Sequence, residues 1–190
     1  MIKAIIFDCF GVLTTDTWRA FVDGLPPEAD AERARELNRQ YDAGQLTKAD
    51  FLQQVHDVTG QKPKYVDDML DKETVKNEQL LAYIKTLKPN YKIGLLSNVA
   101  TNWIRDYFLT TEEQALFDDM VFSFEIGITK PDDRIFKLAA ERLGAEPATT
   151  IMVDDIERYC QAARGTGMQA VCYNDFQQFK TDLEKILSHN

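Results

Sequence analysis

Three short apolar runs, each stopped by acidic, hydroxyl or amide side chains, constrain this chain more than any other feature. Residues 2–7 are rich in β-branched side chains and stop at Asp8. Residues 92–96 stop at Ser97 and Asn98, and residues 150–153 stop at Asp154 and Asp155. Short continuous apolar runs are expected of strands buried on both faces of a parallel sheet. In an open parallel sheet the ligand crevice lies outside the carboxyl ends of the strands. The three polar endings are therefore expected to meet at one site.

Helical patterns alternate with these runs. Over residues 78–87, Leu80, Leu81, Ile84 and Leu87 fall on one face at spacings of three and four, and Lys88-Pro89 ends the pattern. Residues 132–143 repeat it with Ile135, Leu138, Ala139 and Leu143, and Gly144 stands where a glycine cap is favoured. Residues 168–173 read as a further strand and 176–187 as a closing helix. The alternation predicts an α/β fold with a Rossmann-like parallel sheet.

Residues 15–77 break this rhythm. They hold no convincing buried strand and are rich in Glu, Asp, Gln, Arg and Ala. They read as a helical insert, with helices over 28–41, 47–58 and 64–70, Thr47 as an N-cap, and Gly44 and Gly60 as punctuation. The expected organisation is a core of residues 1–14 and 78–190 with a small helical cap, residues 15–77, inserted after the first strand. A cap in that place lies near the crevice and can shield it from water.

Bulk properties exclude several classes. A net charge of −9 among 190 residues, with no basic run, argues against a nucleic-acid partner, whose affinity would come from clustered Lys and Arg. The longest apolar stretches are far too short to span a bilayer, and the N-terminus lacks the layout of a signal peptide, so a cytoplasmic location and no membrane partner are expected. Cys9, Cys160 and Cys172 are an odd number without zinc-ligand spacing and read as reduced thiols. With 44% hydrophobic residues the chain has the means to bury a core. Oligomeric state, monomer or homodimer, is left open.

The run Ile5-Ile6-Phe7-Asp8-Cys9-Phe10-Gly11-Val12-Leu13-Thr14 resembles motif I of the haloacid dehalogenase superfamily. The other motifs follow in order: Leu95-Leu96-Ser97-Asn98 looks like motif II, Lys130-Pro131-Asp132 like motif III, and Met152-Val153-Asp154-Asp155 like motif IV. The insert sits where the family's capped subfamily I carries its helical cap, between motifs I and II. The resemblance implies a hydrolase acting on a small phosphorylated metabolite, with Mg²⁺ held by Asp8, the backbone carbonyl of Phe10 and Asp155, and by Asp154 directly or through water.

The side chains suit that chemistry. Asp8 at a strand end can serve as a carboxylate nucleophile. Ser97 and the backbone amide of Asn98, at the start of a following helix, can donate to an anion. Lys130 can balance the nucleophile and the charge that develops on a transferred group. Asp154 and Asp155 are adjacent carboxylates that need a cation nearby, either Mg²⁺ or Lys130.

One position departs from the family pattern. Phosphatases of the superfamily usually carry a second Asp two residues after the nucleophile, to protonate the leaving group, and here Phe10 stands there. Family members that cleave carbon–halogen bonds also lack that Asp, but they use neutral polar residues at motif IV. A phosphatase of reduced power therefore leads, followed by a regulatory phosphate-binding protein and a 2-haloacid dehalogenase. Asp16, Glu157 or a cap residue are the candidate substitutes for the absent acid. Trp18, Arg19 and Tyr41 are read as packing or solvated residues, not as site residues.

Overall fold

The computed structural model describes residues 1–27, 29–70 and 75–188. Five parallel strands form one sheet in the order β3-β2-β1-β4-β5. They are β1 (Ala4–Phe7), β2 (Lys92–Ser97), β3 (Asp119–Phe122), β4 (Thr150–Asp154) and β5 (Gln169–Cys172). The strand carrying Asp8 is thus central, flanked by the strands that carry Ser97 and Asp154. The expected α/β fold with a Rossmann-like sheet is the observed one.

The period-two alternation of a strand divides the core into two layers. Ile5 and Phe7 of β1, Ile93 and Leu95 of β2, and Ile151 and Val153 of β4 face one apolar cluster. Helices α5 (Glu78–Leu87) and α10 (Phe176–Ser188) cover it. Ile6, Leu96 and Met152 face the other, under α8 (Asp133–Arg142) and α9 (Glu157–Gly165). Gly94 of β2 lets α8 approach: a Cβ there would sit 2.8 Å from Leu143 Cδ1 and 3.3 Å from Ile6 Cγ1.

The α5 helix runs over the predicted residues and buries all four of its predicted apolar positions. Asn77 caps it, accepting from Leu80 N. The same side chain donates to Val12 O and to the Tyr173 hydroxyl, so the cap of α5 also braces the loop after β1. The α8 helix starts one residue later than predicted, because Asp132 is its N-cap and accepts from Arg134 N.

Between β1 and α5 lie α1 (Thr17–Asp23), α2 (Ala31–Asp42), α3 (Lys48–Thr59) and α4 (Pro63–Leu70). They share an apolar cluster of their own, with Leu37, Phe51, Val55 and Val66 fully buried and Trp18, Phe21 and Tyr41 packed against it. Thr47 caps α3 as predicted. The α2 helix begins at Ala31, capped by Asp30, rather than at residue 28; Glu28 lies outside the described residues. The α1 helix was not predicted. The two stems of the insert run side by side: Thr14 bridges Lys76, and Asn77 N donates to Leu13 O at 2.8 Å. Among the described residues no helix is long and apolar enough to cross a membrane.

Candidate active site

The sheet delivers its polar strand ends to one place. Asp8 follows β1 and keeps its backbone in register, its N–H donating to Val153 O at 2.9 Å. Ser97 ends β2 and Asp154 ends β4. Lys130, from the loop before α8, is 1% exposed and lies between the carboxylates, with Nζ 2.9 Å from Asp8 Oδ2 and 2.5 Å from Asp154 Oδ2. Those two carboxylates hold the Lys130 ammonium firmly protonated despite its burial. Burial pushes the Asp8 carboxyl well above the usual carboxylate range, Lys130 opposes the rise, and the charge on Asp154 adds to it.

Asn98 fixes the lysine through its main chain. Its Oδ1 accepts from Lys130 N at 2.8 Å and its Nδ2 donates to Lys130 O at 3.1 Å. This corrects the expectation that Asn98 opens a helix. The next helical turn is π-helical and begins only at Ile104, so no aligned helix dipole stands at Asn98. What Asn98 does instead is lock the loop that presents Lys130.

Ser97 is fully buried and its hydroxyl has no hydrogen-bond partner. An unpaired buried hydroxyl is costly, and it stands at the end of β2, between the asparagine clamp and the sheet. Asp155 Oδ1 is likewise buried without a partner. Its other oxygen accepts from Arg19, which reaches from α1 and also bonds Asp16. Burial raises the Asp155 carboxyl and Arg19 opposes that rise.

The carboxylates of Asp8, Asp154 and Asp155 each place an oxygen within 4.8 Å of the others. Gly11 makes room for them, since a Cβ there would lie 2.2 Å from Asp155 Oδ2, and its φ of +86° favours glycine on its own account. A cluster of three carboxylates with a partnerless buried oxygen is a hard-oxygen donor set that fits a small divalent cation. Phe10 carries no acid into this site. Its ring stacks on Trp103 with centroids 5.9 Å apart.

A cleft of about 610 Å³ opens over these groups, with α1 and α2 on one side and Asp8, Lys130 and Asp155 on the other. Six cationic side chains, Arg19, Arg35, Arg39, Lys48, Lys130 and Arg158, line it against six acidic ones. The cleft is thus locally balanced in a chain whose net charge is −9. Trp18 and Tyr41 pack on Phe51 as expected, yet both also reach the cleft wall. Arg19 is the residue that sequence reasoning passed over. A lone arginine on an unpredicted helix carries no signal of its own, and only packing of the insert brings it to Asp155. Cys9 is fully buried, as predicted. Glu157 pairs with Arg164 on an exposed face, while His189 lies outside the described residues.

A family model for haloacid dehalogenase-like hydrolases matches residues 2–167, and the chain belongs to that family. It is 24% identical over 212 aligned positions to D-ribitol-5-phosphate phosphatase of Bacteroides thetaiotaomicron, covering 99% of this chain and 100% of that one. It is 28% identical over 127 positions to bifunctional epoxide hydrolase 2 of Sus scrofa, covering 63% of this chain. There the match spans only 22% of the relative's length. The solved structure of HAD family enzyme bt-2542 from Bacteroides thetaiotaomicron superimposes with a TM-score of 0.71 at 23% identity, covering 91% of this chain and 94% of that one. That enzyme has also been crystallised with magnesium and inorganic phosphate.

Proposed function

We propose that the chain is a Mg²⁺-dependent phosphatase that hydrolyses a small phosphorylated metabolite through an aspartyl-phosphate on Asp8. The observation that carries the reading is the convergence of Asp8, Lys130, the Asp154–Asp155 pair and the unpaired Ser97 hydroxyl at one end of the sheet. A phosphatase relative that matches along its whole length supports the substrate class.

In this reading Asp8 attacks phosphorus, and the Lys130 ammonium offsets charge on the nucleophile and on the phosphoryl oxygens. Ser97 Oγ and the backbone amide of Asn98 donate to those oxygens, which gives the buried hydroxyl the partner it lacks. Asp8, Asp155 and the Phe10 carbonyl, with Asp154 alongside, would hold Mg²⁺, as the family resemblance implies. The ion, when bound, would neutralise the clustered carboxylates and the incoming phosphate dianion. Arg19 has to release Asp155 for the full donor set to be used. The insert would then act as the cap, and its cleft volume suits a ligand of metabolite size.

Phosphate release from p-nitrophenyl phosphate and a panel of sugar and polyol phosphates, with Mg²⁺ and with EDTA, tests the reading. Release that needs the metal and is lost in Asp8→Asn is expected. Full activity in EDTA with halide release from 2-haloacids would replace it with dehalogenation. Ligand-induced rises in melting temperature without turnover of any substrate would replace it with a binding role.

A further inference from the structure

Phosphatase chemistry on an alkyl ester needs a proton donor at the departing oxygen, and the hydrocarbon of Phe10 occupies the family's usual place for one. Asp16 does not replace it: both of its carboxylate oxygens accept from Arg19, through the backbone N–H and Nε. Glu157 faces Arg164 outside the cleft, and that partner lowers its pKa. A third carboxyl does stand in the cleft wall. Asp42 is the last residue of α2 and lines the same cavity as Asp8 and Lys130.

Its position is fixed from the core. The Asp42 carbonyl accepts from Ser123 Oγ at 2.6 Å, and that oxygen accepts from Val99 N at 2.9 Å. Ser123 directly follows β3, so the end of α2 is tied to the sheet just beyond the strand ends. Asp42 Oδ2 accepts from Asn38 Nδ2 at 2.8 Å, one turn back on the same helix. The charged groups that face the carboxyl are Asp16, ahead of α1, and Lys130, ahead of α8. Shielding from solvent, aided by the charge on Asp16, pushes this carboxyl up to about 8, against the pull of Lys130 and Asn38. The protonated form is therefore favoured at neutral pH, and Asn38 engages only Oδ2.

We propose that Asp42 is the general acid and then the general base of the reaction, supplied from the cap in place of the absent acid at position 10. This rests on the phosphatase reading above. In phosphoryl transfer the attacking and leaving oxygens lie roughly in line, so an ester attacked from Asp8 expels its alcohol away from the sheet, towards the helical wall. Asp8 Oδ forms a bond to phosphorus as the ester P–O bond breaks, and the departing oxygen takes the Asp42 proton. The alcohol leaves and Asp42 becomes a carboxylate. Water then attacks the aspartyl-phosphate and gives a proton back to Asp42. The phosphorus–Asp8 bond breaks, releasing inorganic phosphate and restoring both carboxyl groups to their starting states.

Two esters of similar shape and opposite leaving-group quality test this, p-nitrophenyl phosphate and benzyl phosphate, assayed with Mg²⁺ across pH. The wild type should cleave both, with the benzyl ester alone declining above pH about 8. Asp42→Asn should lose about 10²-fold or more in kcat/KM on benzyl phosphate, less than about tenfold on p-nitrophenyl phosphate, and the alkaline decline. Equal losses on both esters, an unchanged pH profile, or a wild type that cleaves only p-nitrophenyl phosphate would overturn the role of Asp42 while leaving the phosphatase reading standing. No Asp8-dependent release from p-nitrophenyl phosphate by the wild type would overturn the phosphatase reading itself. Should Asp42→Asn fail to fold, the wild-type profiles decide alone: parallel profiles for the two esters refute the proposal.

Discussion

Replacing Lys130 by Met removes one buried cation from between two buried carboxylates of Asp8 and Asp154, and the consequence for stability can be worked out. In the native protein Nζ sits 2.9 Å from Asp8 Oδ2 and 2.5 Å from Asp154 Oδ2, with 1% of the lysine side chain exposed and none of Asp154. Breaking a buried pair by deleting one partner typically costs about 3–5 kcal/mol, because the remaining charge loses its compensation. For a chain of this size each kcal/mol lowers the melting temperature by about 2–4 °C, so the variant should melt roughly 6–20 °C below wild type in EDTA at neutral pH.

The pH dependence has a definite sign. Burial already raises Asp8 above its unfolded value, and loss of Lys130 raises it further. Between the unfolded and folded pKa values the native state then holds more protons than the unfolded chain, so stability rises as pH falls through that window. The deficit should therefore shrink as pH falls towards the ordinary carboxylate range. Thermal and urea unfolding followed by circular dichroism at several pH values reads this out. A variant that melts within about 2 °C of wild type at every pH would refute the buried-triad account.

Three further outcomes follow from the site. Ser97→Ala deletes a buried hydroxyl without a partner, so stability should change by less than about 1 kcal/mol while affinity for inorganic phosphate, measured calorimetrically, falls about tenfold or more. Gly11→Ala puts a methyl group onto the Asp155 carboxylate at a positive φ; Mn²⁺ binding followed by electron paramagnetic resonance should weaken at least about tenfold. Arg19→Ala frees Asp155 from its internal cation, and Mg²⁺ affinity by calorimetry should rise about two- to fivefold, whereas unchanged or weaker binding would show that Arg19 does not compete with the metal.

The parts of this molecule that were legible in the sequence are those governed by local rules. The strands ending at Asp8, Ser97 and Asp154 announce themselves because burial on both faces demands an unbroken apolar run. The α5 pattern is legible because one face of a helix must bury every third or fourth residue. The edge strand β3 escaped notice because it has four residues, begins at a half-buried Asp119 and runs straight into α7 (Ser123–Ile126). Its consequence is large, since Ser123 anchors the insert at Asp42. The α1 helix was missed for a similar reason: seven residues, one of them buried, leave no periodicity to read.

Site chemistry divides along the same line. Asp8, Lys130 and Asp154 meet because each lies at a strand end or on an adjoining loop that the sheet fixes, as expected of the strand ends. Arg19 and Asp42 come from the insert, and only tertiary packing brings them to the cleft. Neither spacing nor residue type marks them out. Asn98 shows a subtler failure: its side chain holds the main chain of Lys130 where a helix start was expected.

The most direct measurement is acid quench of the enzyme during turnover of p-nitrophenyl phosphate with Mg²⁺, followed by peptide mass spectrometry. One phosphoryl group on the peptide bearing Asp8, absent in EDTA and in Asp8→Asn, is the predicted result. Phosphate release that continues in Asp8→Asn, with no phosphoryl group on that peptide in the wild type, would contradict the account.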